Sequence, residues 1–457
     1  MSKYPRSLAR LLSLLRPCFS APTFATFCAL CVGFLACVGE HTVTGMLVAA
    51  RRERVWHHSR AHDFFARARW SPDELGLRLL AFLVERFLPA GAPLVLAVDD
   101  SLFPRSGRKV FGAHLHRDDH VAGGGRQVRF GNSWVVLGLV ISLPFSSRTF
   151  CLPLLFRLWR ADPARRGHGK KGNPRKRRPD PGYPSKAELA RKLVELVAAR
   201  HPGRRLEVVA DGAYAAKALR HLPGHVDLTT RLLATAALYA PAPPPPSGKR
   251  GRPALKGQRL PNLKTIADDP DTRFERIAAS GSGVPPLLDC HLLDCLWYGV
   301  FHTQPVRVLI ARTPGRRDGF DLALVSTDTA ADAKEMIERY AKRWAIEAAF
   351  QDAKQLTGVG EARNRTRRAV ERTVPFGFLC QTLVVVWYAL NGHARQDVLH
   401  RRRHAPWYRH KRAPSYHDML VSLRRALLAV EYPPDPAREQ RPEEIPKHTQ
   451  QTIGAAA

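Results

Sequence analysis

Between Leu94 and Val98 apolar residues follow one another without a polar break, the pattern of a short strand buried on both faces, and the run ends on Asp99-Asp100-Ser101. Leu206 to Ala210 repeats this arrangement and runs into Asp211-Gly212. Ser133 to Leu143 and Phe150 to Trp159, separated by the turn-like Pro144-Phe145-Ser146-Ser147-Arg148, predict a hairpin. Helical patterning covers most of the chain before Leu94: Thr23 to Gly39, Glu40 to Ala50, Ser59 to Arg69, and Ser71 to Phe87, the last opening on the capping box Ser71-Pro72-Asp73-Glu74. A capped amphipathic helix is predicted from Ser185 to Arg200, stopping at Gly203, then a short helix from Ala213 to Leu222 and a strand from Val226 to Leu233. Strand, hairpin, helix, strand, helix, strand is an α/β order, a mixed sheet with helices on its faces. Further on, Arg273 to Ala311 predicts several short strands around Cys290, Trp297, Tyr298 and Phe301, Phe320 to Ser326 a last strand, and Val374 to Leu390 a strongly apolar helix packed beneath the rest.

The polar stretches divide these elements. Arg160 to Pro184 is a basic linker of Gly, Pro, Lys and Arg; Tyr239 to Thr265 is Pro-rich and basic; residues after Tyr432 carry no periodicity and read as a disordered tail. The expected division is a helical region at 1–90, an α/β core at 91–238, a basic linker with a β-rich insertion at 239–319, the second part of the core at 320–392, and a basic segment with the tail at 393–457. Within the first region, Gly39 to Leu47 has the look of a helix-turn-helix piece that would place Thr42 and Thr44 near DNA; a plain helical bundle fits equally.

Tyr340 to Lys354 holds no Gly or Pro and is preceded by Asp328, Thr329, Asp332 and Glu335 as cap and first-turn residues, so it predicts one helix. At about 100° per residue, Tyr340, Arg343, Glu347 and Lys354 fall within a stripe about 60° wide. Periodicity alone also fits an ordinary wet helix face. Charge changes the picture: 72 Lys and Arg against 40 Asp and Glu leave +32, which calls for a polyanionic partner, nucleic acid first. The longest apolar run noted, Phe24 to Gly39, falls short of the roughly 20 residues of a spanning helix, so a membrane is not expected as the partner. Eight cysteines without an even framework suit free, buried thiols in a reducing cytoplasm; Cys28 and Cys31 have half the spacing of a zinc site but no second pair nearby.

Three carboxylates are placed by local structure: Asp99 and Asp211 at the ends of buried strands, and Glu347 on the helix stripe. Strand ends beside a helix are where open α/β sheets hold their sites. Three converging carboxylates repel one another unless divalent cations neutralise them, which points to oxygen-liganded Mg²⁺ or Mn²⁺. Two such ions would activate a water or sugar hydroxyl on one side of a phosphodiester and stabilise the leaving oxygen on the other. Strand neighbours face opposite ways, so only one of Asp99 and Asp100 enters; Asp99, two residues before the hydroxyl of Ser101, is the choice, with Asp100 the alternative.

The spacing Tyr340-x2-Arg343-x3-Glu347-x6-Lys354 resembles the Tyr-Arg-Glu-Lys signature of bacterial insertion-sequence transposases of the DDE type, and Asp99-Asp100-Ser101 and Asp211-Gly212 resemble that family's first two acidic motifs. The resemblance runs from about Leu94 to Leu390. It implies a ribonuclease-H-like core with a β-strand insertion before the glutamate helix. It also implies two metal ions held by Asp99, Asp211 and Glu347, hydrolysis of DNA at the element's ends, and attack of the freed 3′ hydroxyl on target DNA. Tyr340, Arg343 and Lys354 would contact the DNA end.

Weaker signals remain. Arg250-Gly251-Arg252-Pro253 looks like the core of an AT-hook, Arg250 and Arg252 entering a minor groove, or a solvated basic linker. Trp297 is a candidate for stacking on a flipped base, or a core residue. His114, His116, Asp118, Asp119 and His120 crowd one loop as a metal cluster without a distant partner ligand. His400 to Arg412, with Trp407 and Tyr408 interleaved, suits the DNA backbone. The expected protein is a cytoplasmic, nucleoid-associated transposase, dimeric on DNA. Its rivals are a metal-dependent nuclease or resolvase of the same fold and a non-catalytic DNA-binding protein.

Overall fold

The structure, a computed structural model, describes residues 4–118, 127–163, 180–244, 253–281 and 283–431. Five helices open it: α1 (Arg6–Ser13), α2 (Ala21–Ala36), α3 (Val43–Ala49), α4 (Ser59–Ala66) and α5 (Pro72–Phe87). Thr42 caps α3 and Ser71 caps α5, each accepting from a backbone N–H three residues on. Then come β1 (Leu94–Pro104), β2 (His114–Asp118), β3 (Gln127–Ser142), β4 (Thr149–Trp159), α6 (Lys186–Arg200), β5 (Leu206–Ala210) and β6 (Val226–Arg231). After them follow α7 (Leu263–Asp268), β7 (Glu275–Ala278), β8 (Leu287–Leu296), α8 (Tyr298–Phe301), β9 (Pro305–Arg312) and β10 (Leu322–Ser326). The last helices are α9 (Ala333–Ala341), α10 (Trp344–Gln355), α11 (Arg367–Trp387), α12 (Arg395–His404) and α13 (Tyr416–Glu431).

Among the described residues, ten strands join one sheet, in the order β2-β3-β1-β5-β6-β10-β9-β8-β7 with β4 also paired to β3. Its centre is ribonuclease-H-like: β4, β3 and β1 pair antiparallel, and β1, β5 and β6 pair parallel. Parallel neighbours need crossovers. The crossover from β4 to β5 is made by α6, which opens on the capping box of Ser185 and Glu188. The first five helices are not a separate bundle. Phe27, Phe34, Phe64 and Phe65 share one apolar cluster with the sheet and with Phe376 of α11. At Gly76, α5 lies so close to β4 that a Cβ would stand 2.0 Å from the Leu154 carbonyl oxygen. Gly76→Ala should therefore push helix from sheet at a cost of about 1–3 kcal/mol, read as a lower thermal-unfolding midpoint. An unchanged midpoint would show that the contact is looser than this geometry.

The structure departs from the sequence expectations in several elements. β1 does not end at Val98 but continues to Pro104, because β3 keeps pairing with it as far as Pro104↔Gly131 after β5 has stopped at Ala210. The segment from Ala213 to Leu222 holds two short 3-10 turns, Gly212–Tyr214 and Lys217–Leu219, instead of a helix. The β-rich insertion is present, yet β7, β8 and β9 extend the main sheet because β10 pairs with β6 on one side and β9 on the other. The longest apolar helix is α11 with its continuation to Gly392, 26 residues long enough and apolar enough to cross a membrane; 89% of its apolar window is buried against protein, and it is a core helix. Residues 164–179 of the basic linker, Arg250, Arg252, Asp119, His120 and the tail beyond residue 431 lie outside the described residues.

The predicted helix from Tyr340 to Lys354 is two helices. At Lys342 and Arg343 the bonds tighten from i+4 to i+3, Arg343 N–H donating to Tyr340 O at 3.0 Å and Ile346 N–H to Arg343 O at 3.1 Å. The two halves serve different cores, which accounts for the break. Met336 and Ile337 of α9 pack with Leu309 and Leu324, whereas Ile346, Phe350 and Ala353 of α10 pack in the main cluster over β1 and β4.

Candidate active site

The last parallel pair of β1 and β5 is Val98 with Ala210, so Asp99, still within β1, and Asp211, just past the end of β5, stand side by side. Asp211 turns the chain by capping Gly212–Tyr214, its side chain accepting from the Gly212 N–H, and stays exposed. Asp99 is held within its strand, Oδ1 accepting the Asp100 N–H at 2.8 Å. Burial pushes the Asp99 carboxyl up to about 7; the Asp100 N–H and Arg343 oppose the rise, and the charges of Asp100 and Asp211 add to it.

Arg343, at the break between α9 and α10, joins the sheet to the helix. Its Nη1 lies 2.6 Å from Glu347 Oε1 and 3.5 Å from Asp99 Oδ2, so one largely buried guanidinium serves both carboxylates. Tyr340 lies against it, with the Arg343 guanidinium 5.5 Å from the ring centre. Burial raises the Tyr340 phenol, Arg343 works against that, and the Asp211 charge adds to it, which puts this side chain within electrostatic reach of Asp211 as well. The structure thus links Asp99 and Glu347 through Arg343, with Tyr340 beside Arg343 and Asp211 beside Asp99 where β5 ends. Lys354 sits further along β1, Nζ 5.4 Å above the Phe103 ring. Trp344, beside Arg343 and 55% exposed, had no signal in the sequence beyond its position next to the stripe.

Asp100 faces the other way and is fully engaged. Lys186 Nζ of α6 donates to Oδ2 at 2.5 Å, Ser133 Oγ to Oδ2 at 3.3 Å, and the Tyr214 hydroxyl to Oδ1 at 3.1 Å. Tyr214 ends the short turn that Asp211 caps, so this bond ties the Asp211 turn to β1. None of these partners was legible in the sequence. Tyr214→Phe should cost about 1 kcal/mol of stability and let the Asp211 turn drift. A raised divalent-cation requirement with the fold intact is the expected readout; an unchanged requirement would show that the turn is held by other contacts.

Other predicted residues fall elsewhere. Trp297 lies in the core at 7% exposure, 6.1 Å from the Phe301 ring, and does not offer its face to DNA. His114 and His116 bond backbone carbonyls, of Gly112 and Gly131. Thr42 is spent as a helix cap, while Thr44 is exposed. All eight cysteines are free thiols. Among the described residues no three His, Cys, Asp or Glu side chains stand close enough for a ready-made metal site. Asp99, Asp211 and Glu347 are oxygen donors of the kind that hold a hard divalent cation, and Arg343 already balances Asp99 and Glu347.

The sequence profile of the DDE superfamily endonuclease matches residues 14–280, which include Asp99 and Asp211 and stop short of the Tyr340 to Lys354 stretch. No curated protein matches the chain. With more than half its length matched and a ribonuclease-H-like sheet that sets two aspartates side by side, the chain belongs to the DDE superfamily endonucleases, metal-dependent enzymes of the nuclease and transposase type that act on DNA.

Proposed function

We propose that the protein is an insertion-sequence transposase that cuts DNA at the element's ends and joins them to target DNA, using Asp99, Asp211 and Glu347. The observation that carries this reading is the pair of adjacent aspartates beyond Val98 and Ala210, linked through Arg343 to Glu347. Mg²⁺ or Mn²⁺ bound there would activate a water or a 3′ hydroxyl and stabilise the leaving oxygen of the phosphodiester. Arg343 balances Asp99 and Glu347 in the free chain. On binding DNA it is freed to grip a phosphate with its planar fork, and Tyr340 donates its hydroxyl beside it. Lys354 holds the strand further out, and the net charge of +32 draws the polyanion to the protein. Two ends are processed together, so a dimer on DNA is part of the proposal.

A duplex carrying the DNA that flanks this gene, incubated with Mg²⁺ and a second target duplex, tests it. Cut ends covalently joined to the target are the expected product. Cuts that never join would move the protein to the nuclease or resolvase reading, and intact DNA would sink both.

A further inference from the structure

Behind α10, away from Glu347, lies a cavity of about 880 Å³, within the size range of small-molecule sites. Its walls are α10, the turn between β3 and β4, α11, and the segment 401–417. Three of its lining side chains carry buried polar atoms without a hydrogen-bond partner: Gln381 Oε1, the Tyr416 hydroxyl and His417 Nδ1. Gln381 and Tyr416 are each 3% exposed. Gln381 Nε2 is anchored on the Ala349 carbonyl at 2.9 Å, which fixes where Oε1 points. Asp352 lines the same space, and burial alone pushes its carboxyl up to about 7. Buried polar groups are normally satisfied, and several left open around one cavity ask for a ligand that brings its own donors and acceptors. The rim is different in kind. Trp407 is 77% exposed and Tyr408 43%, Arg401 lies 5.1 Å over the Tyr408 ring, and Arg148 and Arg412 also line the opening.

We propose that this cavity seats a single unstacked nucleotide, its base inside and its phosphate at the arginine rim. A base edge supplies the amine that Gln381 Oε1 lacks and the acceptor that the Tyr416 hydroxyl lacks, and its flat face stacks on the rim aromatics. The carboxyl of Asp352 disfavours a phosphate in the interior, which sets the orientation. The inference rests on reading the protein as a DNA-processing enzyme, but uses none of the residues assigned to cleavage. The nucleotide comes either as a free monophosphate or as one unit of a DNA strand.

The test uses the full chain. Calorimetric titration with dAMP, dCMP, dGMP and dTMP in turn probes the free source, and a single-stranded oligonucleotide carrying 2-aminopurine probes the strand source through its fluorescence. At least one probe should respond saturably. Trp407→Ala, at an exposed position, should weaken that response about tenfold or more, and Tyr416→Phe, which keeps the ring, about fivefold. Silence from both probes, or both variants responding as the parent does, would overturn the nucleotide seat. Silence together with wild-type cleavage would leave the carboxylate reading standing; a seated nucleotide in a chain that still cuts as Glu347→Gln would do the reverse.

Discussion

Glu347→Gln is expected to bind DNA at least as well as the parent and to cut it about a thousandfold more slowly, the equivalent of about 4 kcal/mol of lost transition-state stabilisation. The amide keeps the size of the side chain and can still accept from Arg343 Nη1, now 2.6 Å from the carboxylate, so α10 should remain in place. What disappears is the negative charge. An amide oxygen is a poor substitute for a carboxylate on a hard divalent cation, whereas one anion fewer facing a polyanion favours the encounter. Mobility shift and nicking measured on the same duplex separate the two effects. Cleavage at the parent's rate would remove Glu347 from the mechanism.

The second large effect is on stability. Arg339, 5% exposed, lies 3.0 Å from Glu207 and 3.1 Å from Asp328, both themselves almost buried. Asp328 has a second partner in Arg205, which also reaches Asp227 at 3.0 Å. This network ties α9 to β5 and to the end of β10, within a few residues of Tyr340 on one side and Asp211 on the other. Arg339→Met fills a similar volume and removes the 3.0 Å partner of Glu207 and one of the two arginines on Asp328, at an expected cost of about 3–5 kcal/mol. The urea midpoint should fall accordingly. Acid titration adds a check of sign. Burial works to raise the Asp328 carboxyl, but Arg339, the Ala330 N–H and Arg205 outweigh it and hold it below its ordinary value. Its contribution is therefore complete above about pH 4 and lost as pH falls through the lower folded-state value. The parent should lose this increment in acid; in Arg339→Met the acid-dependent decline should be shallower.

Much of the fold could be read from the chain because the first half of β1 and all of β5 are buried on both faces. The runs at 94–98 and 206–210 needed no partner to be recognised, and each pointed to the aspartate that follows it. What local pattern could not carry is pairing at a distance. That β1 outlasts its polar residues depends on β3, whose partners Val136 to Gly131 lie well along the chain, and that the insertion joins the main sheet depends on β10 lying between β6 and β9. The helix carrying Glu347 reads as continuous because nothing in its composition breaks it. Only the two cores under its halves bend it, and the bend sets Arg343 between Asp99 and Glu347. The three bonds that Asp100 makes to Lys186, Ser133 and Tyr214 come from three separate elements, and no spacing announces them. Trp297 shows the opposite failure: a conspicuous residue in a basic, β-rich segment that is simply part of the core.

The central claim is that Asp99, Asp211 and Glu347 act as one cation-binding group. Mn²⁺ binding, followed by its electron paramagnetic resonance signal in the presence of duplex DNA, tests it most directly. The parent should take up Mn²⁺ saturably, and Asp99→Asn, Asp211→Asn and Glu347→Gln should each lose most of that uptake while binding the duplex. Equal Mn²⁺ uptake by all four proteins would contradict the claim.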